Sequence, residues 1–482
     1  MTVRSLDLVI IVGYLVAIVL FGASFKRHQK NLKDYFLGGQ QVPWWAISLS
    51  IVATETSTLT FIGVPGLSYA ANGNMTFLQL VMGYLVGRII ISVLFIPSYF
   101  RGQLLTVYQL LEHRFGDRVK MLAASIFLVM RNLADGVRLL ATAVVLMALT
   151  GIDDITSIVV MGVVMIIFTY LGGMAAVIWT EVVQLFVYIG GAALAAYILL
   201  SEIPGGWQEV QAVGTIFNKF QVFDFTWDVS QTYTFWAGVI GGAFFTTSTH
   251  GTDQFLVQRY LCTASSRQAT AALLSSWVII FAQFVGFLLI GIMLFTFYQR
   301  FPPMTTFARQ DDAFPYFIIH HMPAGLSGLV VAAIFAAALS SSLNSSAATT
   351  LSDLIHPLRK RSNPAPDDEA RDLRLSHTLT IFWGLVQIGV AIMARESKSL
   401  LEAGLSIAAL TNGSLLGVFL LGTLTTRVTE TGALIGMITG LGVMLWVKLG
   451  TSIAWPWHVL LGSLVTFSSG WFATKLISKK SS

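Results

Sequence analysis

Two short runs of hydroxyl side chains interrupt otherwise apolar sequence. They are Ala53-Thr54-Glu55-Thr56-Ser57-Thr58-Leu59-Thr60 and Phe244-Phe245-Thr246-Thr247-Ser248-Thr249-His250-Gly251-Thr252. Both are rich in β-branched and hydroxyl residues, poor material for a helix interior. A third run, Ala336-Ala337-Ala338-Leu339-Ser340-Ser341-Ser342-Leu343-Asn344-Ser345-Ser346, joins small residues to clustered hydroxyls. A helix broken in hydrocarbon leaves carbonyls without partners, tolerable only where something inside the protein satisfies them. A small hard cation does so with oxygen ligands alone. Freed carbonyls facing the hydroxyls of a neighbouring helix are therefore sodium chemistry. Hydroxyls in membrane helices also serve packing or bond to the preceding turn, so either run alone decides little.

Ionisable residues inside apolar segments form a second set. Glu55 lies within the first hydroxyl run, and Arg88 lies well inside a later apolar segment. Arg131, Asp135 and Arg138 are spaced i, i+4, i+7 and so share one helical face. At membrane depth such groups are costly and mark function by default. One arrangement is internal pairing, with Asp135 held by Arg131 or Arg138 and Glu55 neutralised by the arginine that remains. The other has Glu55 and Arg138 facing a cavity, which suits a solute carrying both signs or many hydroxyls. Arg88 is expected to stretch its stem toward the cytoplasmic side. His250 is expected to be a packed neutral side chain, with a proton-carrying role as the alternative.

The elements that carry these residues follow from composition. Of 482 residues, 55% are hydrophobic and 11% charged, and the mean hydropathy is +0.74. Soluble domains carry about 25% charged residues, so a soluble enzyme, a nucleic-acid binder and a disordered chain are excluded. The net charge of +5 comes from basic residues in short inter-helix loops rather than on one face. The single cysteine, Cys262, excludes a disulfide framework and a cysteine-rich metal site.

Thirteen segments reach the roughly 20 apolar residues that a spanning helix needs. They begin near Leu6, Val42, Phe77, Met121, Ser157, Thr180, Tyr233, Thr270, Ala324, Leu375, Leu400, Gly432 and Ile453. The first is too long for a signal peptide and is expected to be retained. Basic clusters such as Lys26-Arg27, Arg359-Lys360-Arg361 and Lys479-Lys480 fall on one side of this alternation. The positive-inside rule then places the N-terminus outside and the C-terminus in the cytoplasm of a multi-pass protein of the cell (plasma or inner) membrane. Residues 201–231 read as an external loop. Pro357 to Leu375 reads as a solvated cytoplasmic linker of mixed charge.

The two hydroxyl runs sit five spans apart, each opening a block of five helices, and an odd offset inverts the second block. This predicts an all-α integral membrane protein with one transport domain. It would have a leading helix and loop (1–41), five helices (42–201), five inverted helices (233–422) and two closing helices (431–476).

The chain resembles the sodium:solute symporter family. The resemblance runs from about Leu32 to Leu476. It rests on Asp34-Tyr35-Phe36-Leu37-Gly38-Gly39, on Ala53-Thr54 with Ser57, and on Trp179-Thr180-Glu181-Val182-Val183-Gln184. Asp253-Gln254, Val257-Gln258-Arg259-Tyr260 and Leu343-Asn344-Ser345 complete it. It implies a leucine-transporter-type 5+5 inverted-repeat fold, alternating access, and sodium as the co-transported ion. It further implies sodium ligands at the carbonyls of Ala53 and Thr56, with Ala337, Ser340 and Ser341 on the ninth span. Anchoring instead on Leu343-Asn344-Ser345 would put Ala337 and Ala338 where hydroxyls should be. Ser340 and Ser341 would then move to an additional sodium site, where Glu181 replaces an aspartate. The first register is preferred because methyl groups cannot hold a cation, and Glu181 is a candidate second-cation or gate residue. The resemblance also makes Glu55, Ser57, Thr60, Phe77 and Arg138 substrate contacts, with Arg138 on a carboxylate.

The expected function is sodium-coupled import of a small polar organic solute: an amino acid, sugar, sugar acid or other carboxylate. The expected partners are that solute, sodium and the lipid bilayer, with no nucleic acid and no obligate protein partner. Proton coupling through Glu55 or Glu181 is the nearest alternative. A membrane sensor would need a signalling domain, for which the tail from Lys475 leaves no room. A channel would pass ions without stoichiometric solute, and an enzyme lacks a nucleophile–base pair.

Overall fold

A computed structural model describes residues 4–24, 37–101, 104, 106–169, 174–304, 306–338, 342–359, 366–397 and 399–480. Among them the ordered elements are all helical. Helix occupies each of the thirteen apolar segments: α1 (Ser5–Ser24), α2a (Trp44–Glu55) and α2b (Thr58–Tyr69), α3 (Leu78–Leu94), α4 (Asp117–Thr150), α5 (Asp154–Thr169), α6 (Met174–Glu202), α7a (Gly242–Gly251) and α7b (Gln254–Leu261), α8 (Ser266–Arg300), α9a (Leu326–Ala338) and α9b (Ser342–Thr349), α10 (Pro366–Met393), α11 (Leu400–Leu424), α12 (Glu430–Gly450) and α13 (Pro456–Lys480). Among the described residues eight helices are long and apolar enough to cross a membrane, and α2a with α2b makes a ninth span. Three further apolar helices are shorter: Ser5–Ile18, Asp154–Ile167 and Leu326–Ala336.

Two spans are broken where the hydroxyl runs lie. In the first, Thr54 and Thr56 donate their hydroxyls back to the carbonyls of Ser50 (2.8 Å) and Val52 (2.6 Å), bonds that bend helices. Thr56 then leaves helical geometry (φ −80°, ψ 50°) and Ser57 is extended, so α2b restarts at an angle of 59°. In the second, Thr252 (φ −126°) ends α7a. Asp253 then caps α7b by accepting from the Phe255 amide at 2.8 Å.

Close packing of α3 on α7a and on the helical segment Ala237–Gly241 that leads into it brings the broken spans into register with their neighbours. A Cβ on Gly83 would lie 2.4 Å from the Gly238 carbonyl oxygen, and one on Gly87 2.6 Å from that of Ala243. Gly242 approaches the Leu80 carbonyl as tightly, at 2.5 Å. Gly83/Gly87 and Gly238/Gly242 are thus matched small-xxx-small pairs. They supply the backbone approach that helix association in lipid relies on when hydrophobic burial gives no driving force. Elsewhere α8 packs along α2a and α2b, α4 lies against α10 and α11, α1 against α9a, and α11, α12 and α13 pack together.

Two loop expectations are corrected. Residues 201–231 contain a helix, Gly206–Ile216, which follows Gly205 at φ +85° and packs on α8. The mixed-charge linker ends earlier than its polarity suggests, because α10 starts at Pro366 rather than near Leu375. Proline tolerates the first helical position.

Candidate functional site in the broken spans

The break in α2 is lined from several sides. Thr56 is buried, and its hydroxyl accepts from Gln283 Nε2 of α8 at 2.8 Å. Thr58 donates to the Ile334 carbonyl of α9a at 3.3 Å and accepts from Thr142 of α4 at the same distance. The break is thereby held against α9a, one turn before Ala337. The side chain of Ala337, and all of Ser340 and Ser341, lie outside the described residues, so that half of the predicted sodium site has no geometry here. Ala53, Ser57 and Thr60 are buried around the break, and the Thr60 hydroxyl donates to the Glu55 carbonyl at 2.5 Å.

Glu55 stands at the centre of a triad with two buried partners, Arg88 and His250. Arg88 Nη2 donates to Glu55 Oε1, and His250 Nε2 lies 2.6 Å from the same oxygen. Arg88 is fully buried, and its Nε and Nη1 have no partner among the described residues. Three expectations are revised. Arg88 does not stretch toward the cytoplasmic side; the close α3–α7 packing encloses it and turns it onto the carboxylate. Glu55 is neutralised by Arg88 rather than by Arg131 or Arg138. His250 is not merely packed, since it bridges Glu55 and the hydroxyl of Thr249 (3.0 Å). The readable sign was the Gly83/Gly87 pair directly before Arg88, a mark of backbone contact.

On α4 the spacing holds. Arg131 Nε donates to Asp135 Oδ2 at 2.8 Å, and Arg138 Nη1 approaches Asp135 Oδ1 at 3.4 Å. Arg131 also reaches Asp253 Oδ2 at the α7 break (3.5 Å), a partner that no local spacing foretells. Arg138 is left as the more open arginine, with side-chain exposure of 19% against 8% for Arg131, and its Nε has no partner among the described residues.

Glu181 of α6 is buried and doubly held. Ser50 of α2a donates to Oε2 at 2.5 Å, and Arg259 Nη2 of α7b donates to Oε1 at 2.6 Å. A cation at Glu181 would have to displace these donors, whereas a gate tying α2a, α6 and α7b needs such bonds. Phe77 is buried between Tyr233 (centroids 5.5 Å) and Phe284 (5.3 Å). Phe284 follows Gln283, the partner of Thr56, so Phe77 packs on the α8 turn that meets the α2 break.

The comparisons with known proteins agree with this architecture. The sodium:solute symporter family model matches residues 35–440. A sodium/sialic acid symporter of Aliivibrio fischeri is 30% identical, with 98% of this chain and 93% of that one covered. The human sodium-coupled monocarboxylate transporter 1 is also 30% identical, over 93% of this chain and 74% of its own. Among solved structures, a substrate-bound, outward-open sodium-coupled sialic acid symporter superposes with a TM-score of 0.87 at 29% identity, covering 98% of both chains. The leucine-transporter-type fold and sodium as the co-transported ion therefore stand, and the chain acts as a transporter rather than an enzyme. With its broken second span and its match across most of its length, the chain belongs to the sodium:solute symporter family and is a sodium-coupled importer of a small solute.

Proposed function

We propose that the solute is a small carboxylate whose anionic group binds Arg138, beside Ser57, Thr60 and Phe77. The observation that carries this reading is the state of Arg138. It sits on the same face as Arg131, which is paired with both Asp135 and Asp253, yet its own one contact is long and its Nε is unpartnered among the described residues. A planar guanidinium with free donors is shaped for a carboxylate. Relatives that carry sialic acid and monocarboxylates support the same class. Glu55 is a weaker candidate for direct contact, since Arg88 and His250 already occupy one of its oxygens; its role is to fix the charge and shape of the break.

In this reading sodium binds between the carbonyls of Ala53 and Thr56 and the Ala337, Ser340 and Ser341 group. The Thr58–Ile334 bond supports that pairing of elements. Sodium would stabilise the outward-open arrangement and organise the break before the solute arrives, and one bundle would then rock against the other. The repeats would be 42–201 and 233–422, with the N-terminus outside and the C-terminus in the cytoplasm.

The test is a thermal-shift screen of the purified protein against carboxylates, neutral sugars and amines, with and without sodium. Stabilisation by a carboxylate only when sodium is present is the expected result. Stabilisation by neutral sugars or amines alone would reject the carboxylate reading.

A further inference from the structure

A cavity of about 710 Å³ lies between the start of α11, the end of α12 and the turn into α13. It includes Gln310, whose backbone carbonyl lies 3.0 Å from where a Cβ on Gly66 of α2b would stand. The cavity thus opens at the α2b end of the bundle.

Two opposite charges line it without meeting. Lys448 Nζ donates to Ser406 Oγ at 2.6 Å, and Glu402 Oε1 accepts from the Tyr233 hydroxyl at 3.0 Å. Among the described residues neither has an ion-pair partner. Glu402 and Ser406 are four apart on α11 and therefore share one face of the helix. The two charges are not ion-paired with each other but each is held by a hydroxyl, an arrangement that suits a small molecule carrying both charges.

The inner wall has unmet hydrogen-bonding capacity of its own. Trp455 and His458 are 7% and 1% exposed, and Trp455 Nε1 and His458 Nδ1 have no partner among the described residues. His458 Nε2 donates to the Ile453 carbonyl at 3.0 Å, which leaves Nδ1 as a bare acceptor. Both atoms are covered by neighbouring groups rather than open to the cavity, although buried polar atoms in native proteins nearly always find a partner. Ile407, Leu410 and Ile453 supply an apolar side.

We propose that this cavity is a second solute site for a small zwitterion: an α-amino acid with an apolar side chain, its carboxylate on Lys448 and its ammonium on Glu402. The site stands independently of the carboxylate reading of the central site, because it shares no residue with it.

The probe is L-leucine, measured by equilibrium binding to the purified full-length protein and by Trp fluorescence. Saturable binding is expected. Lys448→Met and Glu402→Gln should each weaken it at least tenfold, with melting temperatures near wild type because neither residue has an ion partner among the described residues to orphan. Isovalerate and isoamylamine, which each carry one of the two charges, should bind at least tenfold more weakly than leucine. Arg138→Ala should leave leucine binding unchanged. Absence of saturable binding, equal binding of isovalerate, or binding that survives both variants would overturn the proposal. So would binding lost in Arg138→Ala but kept in Lys448→Met, which would place leucine in the central site.

Discussion

Arg88 of α3 donates to Glu55 at the point where α2 leaves its helix, across 33 positions of sequence, and the guanidinium has no exposed surface. A charge pair this deep is costly to break from one side, because the survivor stays buried and unpaired. Arg88→Met or Glu55→Gln should therefore destabilise the protein by about 3–5 kcal/mol, visible as a large drop in melting temperature. The double variant should recover much of that loss. Full additivity of the two single losses would show that the pair does not act as a unit.

Arg138 should behave differently, since its contact with Asp135 is long. Arg138→Ala is expected to raise KM for a carboxylate solute about 10- to 100-fold, the equivalent of a lost charge-assisted hydrogen bond of roughly 1.5–3 kcal/mol. The melting temperature and the sodium concentration for half-maximal uptake should change little. Uptake assays at varied solute and sodium separate these outcomes, and an unchanged KM would remove Arg138 from the site.

Asp311 lies in the turn between α8 and α9 and is fully buried. Its Oδ2 accepts from the Leu400 amide at 2.6 Å, and its Oδ1 faces Gly63 and Gly66 of α2b without a partner. Burial pushes its carboxyl up from 3.8 to about 6, although the Leu400 amide pulls the other way. A raised carboxyl binds its proton more tightly in the fold than in the unfolded chain. Its contribution to stability is therefore greatest below pH 4 and is lost as pH rises through about 6. Asp311→Asn should flatten the melting temperature between pH 5 and pH 7, where the wild type declines. A parallel decline in the variant would show that Asp311 does not titrate in this range.

The glycine pairs give a steric prediction. Gly83→Ala would place a methyl group 2.4 Å from the Gly238 carbonyl and force α3 from α7, carrying Arg88 away from Glu55. A loss of folded protein or of uptake is expected. Gly286→Ala on α8 meets nothing within 4 Å and should be neutral in the same melting and uptake assays. Equal effects at the two positions would contradict the close α3–α7 contact.

What could be read in advance divides along local and distant relationships. The face shared by Arg131, Asp135 and Arg138 follows from helical spacing alone, and the hydroxyl runs foretold both breaks because their chemistry acts within one turn. The pairing of Glu55 with Arg88, of Arg131 with Asp253 and of Glu181 with Arg259 joins separate helices, and no spacing along the chain encodes it. Gly83/Gly87 and Gly238/Gly242 were the legible trace of one such contact. The Gly206–Ile216 helix is not legible in the sequence because it is short and lies within a polar stretch, packed on α8.

The account depends most on sodium sitting between the α2 break and the serines of the ninth span. The direct measurement is the sodium dependence of uptake by Ser341→Ala in proteoliposomes, with folding checked by its melting temperature. The predicted result is a sodium requirement raised about tenfold, equivalent to roughly 1.4 kcal/mol, in a protein that still folds. A folded variant whose sodium dependence matches the wild type would contradict the placement.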